Sequence, residues 1–173
     1  MKKIVVYGSR YGTTKSYVEE YARRNQLKAV AFTQIKDLSE YDTVIHFGAL
    51  LAGGVYGLKK TLELLDPHGS QKLVIVTVGL ADPANTKNTD YLKKMIKEVI
   101  PENILSHTQI FHLRGGIDYR KLSLMHRFMM YLLYRKAKKE ASTSADEETK
   151  EIITTYNQHV SFVDFSTLDQ INV

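Results

Sequence analysis

Five short, mostly apolar runs separated by stretches of helical spacing constrain this chain more than any other feature. They lie at residues 3–7 (KIVVY), 27–32, 43–47, 73–78 (LVIVTV) and 109–113. Between them the spacing predicts helices over residues 13–25, 58–65 and 89–100, with "DLSEY" (37–41) as a helical turn. In the first helix Tyr17, Val18, Tyr21 and Ala22 share one stripe. Asp66-Pro67-His68-Gly69 ends the second helix and Pro101 closes the third. Short buried strands that alternate with helices form a parallel sheet covered on both faces. At 173 residues the chain has the length of one domain with a real core.

The junction after the first strand, "YGSRYGTTKSY" (7–17), carries the chemistry. A strand stops at Gly8 and hydroxyls, an arginine and a second glycine lead into a helix. Helix-start N–H groups are unpaired and sit at the positive end of the helix dipole. Ser9, Thr13 and Thr14 add donors, and Gly12 lets the backbone curl round an anion. The motif is neither a Walker A loop nor G-x-G-x-x-G. Two readings stand at this point: the loop holds a phosphate, or Ser9 or Thr13 caps the helix.

The strand followed by "SRYGTT" resembles the phosphate loop of flavodoxins, usually Thr/Ser-x-Thr-Gly-x-Thr, which encloses the monophosphate of FMN. Tyr11 stands where that pattern has a hydroxyl or an acid. The resemblance implies an α/β, flavodoxin-like, doubly wound five-stranded parallel sheet of order 2-1-3-4-5. Its ligand would sit outside the carboxyl ends of the strands, at the topological switch point. FMN is the implied cofactor, held by Ser9, Arg10, Tyr11, Gly12, Thr13 and Thr14. Two small-residue loops would complete the site. "GALLAGGVYG" (48–57) offers Ala49, Leu50, Leu51, Ala52, Gly53 and Tyr56, and "VGLADPANT" (78–86) offers Val78, Gly79, Leu80 and Ala81. Either loop alone is ordinary turn chemistry; three at one sheet edge make a site. Tyr56 either borders the isoalloxazine ring or packs where the second helix starts, and Leu50 and Leu51 are the other candidates to pack the ring.

A basic insertion follows the fifth strand. Residues 114–140 hold eight lysines and arginines against Asp118 and Glu140, so the whole excess of the net charge of +5 lies there. "RGGIDY" (114–119), followed by an aromatic- and Met-rich basic helix at 119–140, is similar to the flavodoxin-type, menaquinone-dependent protoporphyrinogen oxidases. That likeness implies hydrogen transfer from a tetrapyrrole through FMN to a quinone. The chain departs from it at Ala52-Gly53, where those enzymes place a basic residue and an aromatic. The alternative is a flavodoxin-type electron carrier with a protein redox partner and no substrate of its own. A third reading is an FMN-binding protein with a regulatory or membrane-recruited role. Physically, 120–139 suits peripheral contact with a membrane, a lid over a flat tetrapyrrole, or packing on the domain or across a dimer. The stretch "ASTSADEETKE" (141–151) reads as an exposed connection, all within one domain spanning 1–173. Only a stub follows Thr167, so the closing helix is expected to be short or truncated.

The absence of cysteine excludes disulfides, thiol catalysis and thiolate-held clusters. Met1-Lys2-Lys3 leads into only a short apolar run, so no signal peptide is expected, and a cytoplasmic location fits, either free or peripheral on the inner face of the membrane. No metal set and no acid–base constellation stands out. His46 reads as a core histidine, and His112 and His126 receive no catalytic role. Nucleic acid is not expected, because the basic stretch is rich in Met and Leu.

Overall fold

The computed structural model describes residues 1–51, 54–66, 71–141 and 147–173, without the side chains at 147, 148 and 151. In chain order the elements are β1 (Lys3–Gly8), α1 (Thr13–Asn25), β2 (Lys28–Ala31), β3 (Thr43–Leu51), β4 (Gly54–Val55), α2 (Leu58–Glu63) and β5 (Lys72–Gly79). Then follow α3 (Thr86–Lys97), α4 (Glu102–Leu105), β6 (Thr108–Arg114), β7 (Gly116–Asp118), α5 (Leu124–Ala141), α6 (Glu147–Thr155) and β8 (His159–Ser161). Short 3-10 turns lie at Tyr119–Lys121 and Phe165–Gln170. The chain divides into two compact units, Met1–Gly115 with Val163–Val173, and Gly116–Phe162.

The first unit is built on a parallel sheet of order β2-β1-β3-β5-β6, the doubly wound 2-1-3-4-5 arrangement of its main strands. Strand residues alternate between two cores, as the two-residue period requires. Val5, Ile45, Phe47, Val74 and Val76 pack with Tyr17, Val18 and Tyr21 of α1. Ile4, Val6, Val44, Leu73 and Ile75 pack with Leu58 of α2 and Ile96 of α3. All these side chains are buried, which is why the strands read as continuous apolar runs.

Several local expectations are corrected. "DLSEY" forms no helix: the Asp37 carboxylate accepts the Ser39 N–H at 2.9 Å and a turn results. The third helix starts three residues early because Asn85 caps it, accepting the Lys87 N–H at 3.2 Å. It ends at Lys97, and Pro101 opens the short α4 instead of closing a helix. The residues Pro67-His68-Gly69, expected to end the second helix, lie outside the described residues. The chain's last segment forms no longer helix: Asp164 caps the 3-10 turn, which delivers Leu168 and Ile171 to the α1 core.

In the second unit the expected helix over 119–140 is broken. Ser123 caps α5, its hydroxyl accepting the His126 N–H at 3.3 Å, so the helix begins at Leu124. The stretch read as a connection belongs in part to α6, and β7 pairs antiparallel with β8 from Gly116↔Ser161 to Asp118↔His159. The Tyr134 and Tyr156 rings stack at 4.1 Å between α5 and the end of α6, with Tyr119 edge-on to Tyr156 at 5.4 Å.

One side chain of the first unit holds both ends of the point where the chain leaves and returns. Tyr17 Oη donates to the Arg114 carbonyl at 2.7 Å and accepts from the Asp164 N–H at 2.9 Å. Its ring is fully buried and edge-on to Phe165 at 5.6 Å. Tyr17→Phe removes both hydrogen bonds at once and is expected to cost about 1–3 kcal/mol in urea denaturation, with secondary structure unchanged.

Candidate functional site

The carboxyl ends of β1, β3 and β5 lie side by side, since β3 pairs with both of the others. At the end of β1, residues Ser9–Thr14 lead into α1 through Gly12, whose φ of 100° is a left-handed conformation that a side chain resists. Gly12 is the N-cap and supplies no side-chain cap, while its carbonyl accepts the Ser16 N–H at 2.9 Å. Ser9 Oγ accepts the Lys15 N–H at 3.2 Å, which leaves its own proton free to be donated. Ser9 therefore caps the helix, as the second reading has it, and its hydroxyl remains available as a donor. The N–H groups of Gly12, Thr13 and Thr14 have no acceptor among the described residues. Thr14 is buried, Tyr11 and Thr13 are half-buried and Arg10 is exposed. Such an arrangement can hold an anion with several donors.

The second loop is a hairpin. β3 runs on through Ala49, Leu50 and Leu51, and Leu50 and Leu51 pair with Val55 and Gly54 of β4. Ala52 and Gly53 lie outside the described residues. The Tyr56 N–H donates to the Ala49 carbonyl at 2.9 Å, and the Tyr56 ring is edge-on to Phe32 at 5.1 Å. The Tyr56 carbonyl lies directly over Gly8, where an added Cβ would collide with it. A side chain at that position would push the hairpin off β1.

His46 anchors this hairpin from below, a role that the sequence reading missed. The side chain is fully buried, with Nε2 3.1 Å from the Tyr56 carbonyl and Nδ1 2.8 Å from Thr61 Oγ1. A carbonyl can only accept, so Nε2 carries the proton and Nδ1 accepts from the Thr61 hydroxyl. Burial pushes the imidazole pKa down to about 4, against a smaller opposing effect of the Tyr56 carbonyl.

The third loop leaves β5 at Gly79. The Arg114 side chain of β6 donates to the Leu80 carbonyl at 3.3 Å and approaches the Asp82 carboxylate at 3.6 Å, while the Gly115 N–H donates to the Gly79 carbonyl at 2.6 Å. Val78 is buried and Gly79, Leu80 and Ala81 are half-buried. The structure thus brings the described residues of all three loops to one sheet edge. Of the other histidines, His112 faces Thr77 Oγ1 at 2.6 Å, and its buried Nε2 has no partner among the described residues. Burial, then the charge of Lys93, holds its pKa down at about 4. His126 belongs to the second unit. Among the described residues there is no cluster of His, Asp and Glu able to hold a metal ion, and no helix is long and apolar enough to cross a membrane.

A histidine kept neutral in the native state titrates near 6.5 once unfolded, so the unfolded chain gains the proton first as pH falls. Stability is expected to be complete above about pH 6.5 and to fall toward about pH 4. The His46 share is at most about 2 kcal/mol between pH 7 and pH 5. Urea titrations at both pH values should show a smaller difference in His46→Gln than in the unaltered chain.

Residues 4–144 match the family model described as a flavodoxin domain. No curated protein matches the sequence. Similar solved structures include a protein of Bacteroides uniformis designated a flavoprotein, at 13% identity and TM-score 0.48, covering 66% of this chain and 90% of that one. A flavodoxin from the Archaea is 14% identical at TM-score 0.42 over 66% and 85% of the two chains. Flavodoxin 1 of Bacillus cereus is 15% identical at TM-score 0.41 over 66% and 86%. The chain belongs to the flavodoxin domain family.

Proposed function

We propose that this protein binds FMN at the carboxyl edge of its parallel sheet and carries electrons for a redox partner. The observation that supports this reading is the set of Gly12, Thr13 and Thr14 N–H groups at the start of α1 that have no acceptor among the described residues. With Ser9 Oγ at the helix start, Arg10, Thr13 and Thr14 in the same loop and no carboxylate between residues 9 and 18, they fit a terminal phosphate monoester. Ala49, Leu50, Leu51 and Tyr56 of the hairpin and Val78, Gly79, Leu80 and Ala81 would hold the ring. Their apolar side chains would exclude water and their backbone could approach closely. Bound FMN supplies the redox chemistry, so the protein needs no catalytic side chain and contributes position and electrostatics.

Fluorescence titration tests the site. FMN is expected to bind, with riboflavin at least about tenfold weaker because it lacks the phosphate. Thr14→Val should weaken FMN by about tenfold and leave riboflavin unchanged. Equal affinity for the two flavins, or no binding of either, would overturn the reading.

A second reading is an oxidoreductase of the protoporphyrinogen-oxidase type that passes electrons from a tetrapyrrole to a quinone. It is favoured by Arg114-Gly115-Gly116-Ile117-Asp118-Tyr119 and the cationic α5 that follows. Under that reading the FMN-loaded protein speeds oxidation of protoporphyrinogen IX by a menaquinone analogue. If the rate equals that of free FMN, the carrier reading stands alone.

A further inference from the structure

One face of α5 combines two properties that seldom share a solvated surface. Leu124, Met125, Phe128, Tyr131 and Leu132 are 83%, 63%, 60%, 41% and 49% exposed. Their spacing of three, four, seven and eight residues puts them on one stripe, about 12 Å long at 1.5 Å per residue. Large apolar side chains exposed together in this way mark an interaction surface. The buried side of the same helix carries Ala137 and the Tyr134 ring stacked on Tyr156, so the stripe is not the face that packs on α6.

Cations bound the stripe at both ends. Arg120 and Lys121 precede it, and Arg135, Lys136, Lys138 and Lys139 follow it, all exposed. Arg120 is paired with Asp118 at 3.0 Å and Lys136 with Glu140 at 3.7 Å, yet between those two acids the sequence holds no carboxylate at all. A protein partner's mixed surface would be met by acceptors as well as donors, and a nucleic acid offers no place for Leu124, Met125 and Leu132. An apolar centre with basic ends matches a surface that has hydrocarbon beneath a layer of phosphate.

We infer that the α5 face is a docking surface for an anionic phospholipid bilayer, on which the helix lies in the interface plane. Leu124, Met125, Phe128 and Leu132 enter the acyl boundary, Tyr131 sits at headgroup level, and the flanking lysines and arginines pair with lipid phosphates. The helix does not cross the bilayer, since none among the described residues is long and apolar enough. This placement is independent of the flavin site and stands or falls without it.

The chain contains no tryptophan, so Phe128→Trp gives a single reporter. With vesicles of phosphatidylglycerol in phosphatidylcholine, its emission is expected to shift to the blue and to become protected from aqueous quencher. Phosphatidylcholine alone should leave it unchanged. In co-sedimentation of the full chain, Phe128→Asp with Leu132→Asp should weaken binding by at least about tenfold, and Lys136→Glu with Lys139→Glu should remove the preference for the anionic lipid. Because these side chains are exposed, the denaturation midpoints of the variants should match that of the unaltered chain. No binding to the anionic vesicles, or binding that survives Phe128→Asp with Leu132→Asp, would overturn the inference. So would a concentration-dependent blue shift without vesicles, which would mark the face as a contact between two copies of the chain.

Discussion

A parallel sheet must hand its backbone over to loops at the carboxyl ends of adjacent strands, and in this protein that edge tolerates no side chain at its centre. Gly8 and Gly48 face each other across β1 and β3, and the carbonyl of Tyr56 lies over them. That carbonyl lies against the sheet; His46 provides it with a donor from beneath, and Thr61 of α2 fixes the imidazole in turn. Strand, hairpin and helix are thus tied through one neutral ring. The loops that flank this junction are those with the small residues and with the amides that have no acceptor among the described residues, so the loops proposed to hold a ligand stand on a rigid edge.

A second constraint concerns how the first unit stays continuous while the chain leaves it between Gly115 and Val163. Tyr17 meets it with a hydroxyl used in both directions, donating to the last strand and accepting from the returning segment. Leu168 and Ile171 then enter the core beside Tyr17 and Tyr21, doing with a 3-10 turn what the sequence led one to expect of a truncated helix. The second unit is organised by its own aromatic trio, Tyr119, Tyr134 and Tyr156, and by a short antiparallel pair.

The fold and the candidate loops were largely legible in the residues. The strands are buried on both faces, so each announces itself as an apolar run whatever its partners, and all five were placed within a few residues. The phosphate-type loop was legible because its hydroxyls and Gly12 are adjacent in sequence. What was not legible depends on residues far apart. β7 and β8 have three residues each, too few to show a period, and find each other only in three dimensions. Asn85, Ser123 and Asp164 decide where their helices begin through single side-chain hydrogen bonds, which shift boundaries without changing hydrophobic pattern. The helix α6 opens on acidic and hydroxyl residues that read as a solvated connection, with only Ile152 and Ile153 to mark an apolar side.

Local composition by itself determined that strands alternate with helices, that the sheet is parallel, and that hydroxyl and amide donors gather at the first junction. The first two follow from burial on two faces; at the first junction the sequence shows only that hydroxyl and amide donors are neighbours in the chain, and their holding an anion is the proposal. Only the tertiary structure decided that β3 continues into a hairpin, that His46 is neutral and holds that hairpin down, and that Tyr17 secures the exit and return of the chain. Each of those depends on a buried polar atom meeting a partner many residues away. Which atom meets which is set by how the elements pack, not by any one of them alone.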